Sequence, residues 1–147
     1  MEQIGKKLKT SSVVVLIFAG LSLLQVVCEL LFGELGNATV PEGASDNILL
    51  ITRIFLFSFA LLLTLPGVYI GVKGLRVAEN PDSSMGHIVW GVILLVITFL
   101  CIISPIVAFV NSGFEVDNIL DFLSIAAEVI VLFEYVQYAI AVRKTVI

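Results

Sequence analysis

Residues 87–110 read HIVWGVILLVITFLCIISPIVAFV and contain no Asp, Glu, Lys or Arg. A helix that crosses a bilayer needs about 20 predominantly apolar residues. This run is longer than that, and too long for the core helix of a small soluble domain. In hydrocarbon every backbone N–H and C=O must be satisfied within the protein, so such a run is expected to be helical. Three more runs have the same character, at about 12–33, 48–72 and 119–142. Short joints make successive helices antiparallel neighbours. The expected fold is therefore all-α, an integral membrane up-down-up-down four-helix bundle forming one membrane domain over residues 1–147.

Composition supports this reading. Charged residues are 14% of the 147, where a soluble domain carries about 25%. Hydrophobic residues are 59%, and the mean hydropathy is +1.12. A soluble fold of this length cannot hide so much apolar surface, whereas a bilayer can.

The joints between the runs are rich in turn and cap residues. Gly33-Glu34-Leu35-Gly36-Asn37 ends the first run, and Asp46 or Asn47 is a cap for the second. Asn80-Pro81-Asp82-Ser83-Ser84 is a turn, Asn111-Ser112-Gly113 closes the third run, and Asp117 or Asn118 caps the fourth. Asn37-Ala38-Thr39 is a glycosylation triplet too close to the apolar run to expect modification. The first run is expected to stay as a helix rather than be cleaved, since no small-x-small site follows it.

Basic residues give the orientation. Lys6, Lys7 and Lys9 precede the first run, Lys73 and Arg76 follow the second, and Arg143 and Lys144 follow the fourth. The other two joints carry Glu34, Glu42 and Asp46, and Glu115 and Asp117, with no Lys or Arg. By the positive-inside rule both termini and the middle joint are cytoplasmic in a plasma membrane. Tyr69, Trp90, Tyr135 and Tyr138 fall at the cytoplasmic ends of their runs, as an interfacial aromatic belt would.

Several function classes drop out. There is no basic patch with interleaved aromatics, so no nucleic-acid partner is expected. Cys28 and Cys101 are isolated in apolar runs, which indicates neither a redox motif nor a metal site. His87, the single histidine, is expected as a cap or surface group. No catalytic triad pattern, metal-ligand cluster or phosphate loop is present, so neither an enzyme nor a cofactor is expected.

The informative residues are polar ones at membrane depth, where ionisable groups are costly. At 1.5 Å per residue, Glu29 lies about 6 Å and Arg53 about 8 Å inside the outer ends of their runs. Glu128 lies about 14 Å in, near the midplane. Ser22, Gln25 and Glu29 recur at helical spacing on one face. Together with Arg53 and Glu128 they define an expected polar seam, with Glu29 and Arg53 as an ion pair. Gly67-Val68-Tyr69-Ile70-Gly71 is a small-xxx-small motif that lets a partner backbone approach, within the chain or in a second copy. Pro66 and Pro105 each remove a helix donor, freeing the carbonyls of Leu62 and Cys101.

Gly71-Val72-Lys73-Gly74-Leu75-Arg76-Val77-Ala78-Glu79-Asn80-Pro81, followed by a helix with Trp90-Gly91, resembles the middle joint of small uncharacterised four-helix membrane proteins of Gram-positive bacteria. The resemblance implies topology and a bacterial plasma membrane, and no activity. The expected function is thus that of an accessory or structural membrane subunit. It would act without catalysis, through helix–helix contacts with the lipid bilayer, a second copy or a partner membrane protein. The alternative is a small proton- or ion-coupled transporter or channel that uses Glu128.

Overall fold

The computed structural model describes residues 2–32, 46–113 and 116–147. Among these residues the chain is all-helical, with no strand. α1 spans Glu2–Phe32, α2 Asp46–Glu79, α3 Gly86–Cys101, α4 Ile103–Ser112 and α5 Val116–Lys144. Two helices among the described residues are long and apolar enough to cross a membrane, Glu2–Cys28 and Gly86–Asn111. The second of these takes in α3 and α4 as one rod. The joint at residues 33–45, with the Asn37 triplet, lies outside the described residues.

The helices overrun the apolar stretches that announce them. α1 starts at Glu2, because the basic tail continues the helix: Lys6 Nζ meets Glu2 Oε1 one turn away at 2.6 Å, and Leu8 is fully buried. α2 runs on past residue 72 to Glu79, with Val77 buried. α5 starts at Val116, so Asp117 and Asn118, expected as caps, fall inside its first turn.

The two prolines act differently. Pro66 sits within an unbroken α2. Pro105 coincides with an interruption at Ile102, between α3 and α4. With no N–H at Pro105 to hold the carbonyl one turn earlier, the ladder tightens locally. Ile102 N donates to Phe99 O at 3.3 Å, and Ile106 N to Ile102 O at 3.4 Å. Gly113 ends α4 with φ +79°, a positive value that favours glycine, and donates to Phe109 O at 3.1 Å.

Successive contacts run antiparallel along α1 and α2. A methyl placed on Gly67 would meet Ala19 Cβ at 3.3 Å, one on Gly71 would meet Leu16 Cγ at 2.5 Å, and one on Gly5 would meet Ala78 O at 3.3 Å. Gly91 of α3 faces Tyr135 and Val136 of α5 in the same close way. α1 thus lies between α2 and α5, and α3 between α2 and α5 on the other side.

The buried residues gather at one end, which holds the start of α1, the α2–α3 joint and the end of α5. Leu8, Ile70, Val77, Ile88, Tyr135 and Ala139 form its core. Tyr135, expected in an interfacial belt, is instead fully buried. Its ring fits where Gly74 and Gly91 have no side chains, and its hydroxyl donates to Ile70 O at 2.9 Å. Sequence position alone put it near an interface; the two facing glycines draw it inside. Trp90 and Tyr69 do remain exposed.

His87, expected as a cap or surface group, is also buried. Its ring stands edge-on to Tyr135, with centroids 6.4 Å apart, and its Nδ1 lies 3.4 Å from Ser84 Oγ. Ser84 in turn donates through N and Oγ to Asp82, at 3.0 and 2.6 Å, and Lys73 reaches Asp82 at 2.7 Å. These bonds fasten the joint to α2. Arg143 Nε donates to Ser83 O at 3.2 Å, bringing in the end of α5. The Lys9–Glu79 pair, 2.8 Å and exposed, adds little to stability.

Candidate functional site

Where the packed end stops, the four rods line a half-open cavity of about 200 Å³. Its floor is the core residues Val15 and Leu132. Its polar lining is Ser22 from α1, Thr64 from α2, Thr98 from α3 and Glu128 from α5. Thr98 is buried, Thr64 and Glu128 are half-buried, and Ser22 opens outward.

Helix register explains why these four converge. Gly67 meets Ala19, so one turn further from the packed end Thr64 comes level with Ser22. Gly91 meets Tyr135, so about two turns further Thr98 comes level with Glu128. Gly67 itself lines the cavity. The close helix approach at the glycines therefore also sets the depth and width of the polar site.

The structure brings Ser22 and Glu128 of the expected seam together and adds Thr64 and Thr98. Gln25 is exposed and does not line the cavity. Arg53 is half-buried and also lies outside it, about 16 Å along α2 from Thr64. The side chain of Glu29 is outside the described residues, and with it the expected Glu29–Arg53 pair. Gly67 and Gly71 both face α1 of the same chain.

Thr98 carried a signal that sequence reading passed over. It is the lone hydroxyl in the apolar stretch between Gly91 and Ser104. A single polar group in such a run finds a partner inside the protein rather than in lipid.

The lining defines the chemistry. One carboxyl and three hydroxyls among apolar walls can take up a proton, hold a small cation, or accept hydrogen bonds from a polar ligand. Compared with family models, curated proteins and solved structures, the chain finds no match.

Proposed function

We propose that the chain is a four-helix up-down-up-down bundle in a bacterial plasma membrane, with both termini cytoplasmic. It serves as an accessory or structural membrane subunit, without catalysis. The observation that supports this is the apolar outer surface of the helices, together with a few polar side chains buried beside the apolar core. Large apolar residues are exposed along every rod, from Ile17 and Leu24 through Leu62, Phe99 and Leu123. Ser11, Ser12, His87 and Thr98 are buried. Soluble monomers rarely expose contiguous apolar patches of more than a few hundred Å². A bilayer accepts such a surface, and beyond the cavity the open faces of the rods remain available to a partner helix.

Topology is tested by cysteine labelling, with Cys28 and Cys101 replaced by Ala. Single cysteines at Ser45 and Ser112 should react with an impermeant thiol reagent on intact cells, and one at Ser83 should not. Reaction at Ser83 with protection of the other two would invert the orientation. Protein that carbonate washes release from membranes would end the membrane reading altogether.

The cavity favours a second reading, a small proton- or ion-coupled transporter or channel. A carboxyl at midplane depth beside hydroxyls from the other three rods is what a coupling site requires. Gln keeps the shape and polarity of Glu128 but does not titrate. Flux in proteoliposomes should therefore be lost in Glu128→Gln while thermal stability stays at the parent's level. Full function in that variant leaves the accessory reading standing, and full function in Glu128→Leu as well removes any special role for the residue.

A further inference from the structure

On the outside of the bundle, between α2 and α3, runs a groove of about 530 Å³. Leu62, Leu65 and Pro66 form one wall, and Trp90, Ile93 and Ile97 the other. Tyr69 ends it, and Tyr69 also lines the next recess along α2, with Lys73 and Arg76. An apolar groove thus leads into a basic recess past two exposed aromatic rings, Tyr69 and Trp90. We propose that this track binds an anionic phospholipid of the cytoplasmic leaflet. One acyl chain lies in the groove, and the phosphate meets Arg76 and Lys73. The inference rests on the membrane placement proposed above and adds a ligand to it.

Dimensions favour this occupant. At 1.5 Å per residue, Lys73 lies roughly 16 Å and Arg76 roughly 21 Å along α2 from Leu62. Half of a hydrocarbon core about 30 Å thick is about 15 Å. The apolar part of the track therefore matches one leaflet, and its basic part falls at headgroup depth. A partner transmembrane helix would need a groove over the full thickness, and it would need small residues where these walls are bulky.

Charge favours it too. The two nearby acids are engaged: Glu79 with Lys9 at 2.8 Å and Asp82 with Lys73 at 2.7 Å. Exposed Arg76 is thus a positive charge beyond those balanced pairs, and its planar fork suits two phosphate oxygens at once. Lys73 retains ammonium protons beyond the one it gives Asp82. Tyr69 and Trp90 belong at the boundary between chain and headgroup.

The test uses the full chain in neutral detergent, titrated with phosphatidylglycerol, phosphatidylcholine or glycerol 3-phosphate and read by native mass spectrometry. Phosphatidylglycerol should bind several-fold more tightly than phosphatidylcholine. Arg76→Gln should cost about fivefold of that preference, the usual weight of one basic residue at a lipid surface. Ile93→Trp, which fills the groove, should lower occupancy by both lipids; Leu65→Trp repeats the test should the first variant fail to fold. Equal binding of the two lipids, or an unchanged preference in Arg76→Gln, overturns the proposal. So does binding of glycerol 3-phosphate as tight as that of the lipid, which would mark a soluble phosphate site. Protein dimers that Ile93→Trp dissolves in the absence of lipid would assign the groove to a second copy and also overturn it. Failure of the membrane placement shows separately, as parent protein that carbonate extracts from membranes.

Discussion

The helix ends around Tyr135 and the stretches beyond Glu128 belong to the same rods, and the charged residues are concentrated in the first. Yet the first is closed and the second is open. Leu8, Ile70, Val77, Tyr135 and Ala139 are buried, whereas Leu24, Leu31, Leu50, Leu120 and Leu123 are exposed. What marks the closed half is close approach at glycines. In the closed half Gly67, Gly71 and Gly74 of α2 face Ala19, Ser12 and Leu16 of α1, and Gly91 of α3 faces α5. The open half of α1, α2 and α5 has no such glycine contact among the described residues. Lipid tails are as apolar as leucine, so bulky apolar faces gain little from meeting each other in a membrane. Close backbone approach and buried hydrogen bonds are what decide where the rods join.

The largest expected effect comes from removing the centre of the closed half. Tyr135→Ala takes out a fully buried ring and its bond to Ile70 O, and should cost about 3 to 5 kcal/mol. Leu123→Ala, at a position 56% exposed, should cost less than about 0.5 kcal/mol. Thermal unfolding in detergent compares the two. Similar losses in both would mean that the halves are equally packed, and the contrast would fail.

Next in size is the glycine contact. A Cβ at Gly71 comes 2.5 Å from Leu16 Cγ and 3.2 Å from Ser12 O, and the latter is backbone that cannot turn aside. Gly71→Ile should therefore destabilise by about 1 to 3 kcal/mol through overpacking. Gly20, with nothing within 4 Å of its own Cβ position, should accept Ile without loss. An unchanged melting temperature for Gly71→Ile would remove this contact as the reason that the closed half closes.

Much of this contrast is legible in the sequence, though unevenly. Uncharged runs announce the helices, because in apolar surroundings the backbone has no other partner. Their ends are less legible. Lys6, Lys7 and Lys9 read as a solvated tail, whereas Leu8 between them is core. The motif at Gly67 and Gly71 stands out by its spacing, but Gly74 and Gly91 matter as much, and their role depends on a tyrosine far along the chain. That is why Tyr135 and His87 read as interfacial and are buried. The polar site divides in the same way. Ser22 and Glu128 are visible as polar residues in apolar runs, while their convergence with Thr64 and Thr98 depends on inter-helix register, which no single helix encodes.

The smallest expected effect concerns the α2–α3 joint that fastens the closed half, and it sharpens the comparison by asking how much polar bonding adds to small-residue packing. Hydrogen bonds from Lys73 and Ser84 hold the Asp82 carboxyl at a pKa of about 2, below its ordinary 3.8. A group whose folded pKa is depressed stabilises the fold fully above its unfolded value and loses that contribution as pH falls through the folded one. The stabilisation from Asp82 should therefore be complete above about pH 4 and fade as pH drops toward 2. Its side chain is 41% exposed and that of Lys73 29%, so solvent screening keeps the contribution below about 1 kcal/mol. Asp82→Asn should lower stability slightly at pH 7 and flatten the acid limb between pH 4 and 2, with Lys73→Gln flattening it less because the Ser84 bonds to Asp82 remain. Melting temperatures measured from pH 7 to 2 decide the matter. An acid limb in Asp82→Asn as steep as the parent's would assign acid sensitivity to other carboxyls and leave the closed half resting on its glycines and Tyr135 alone.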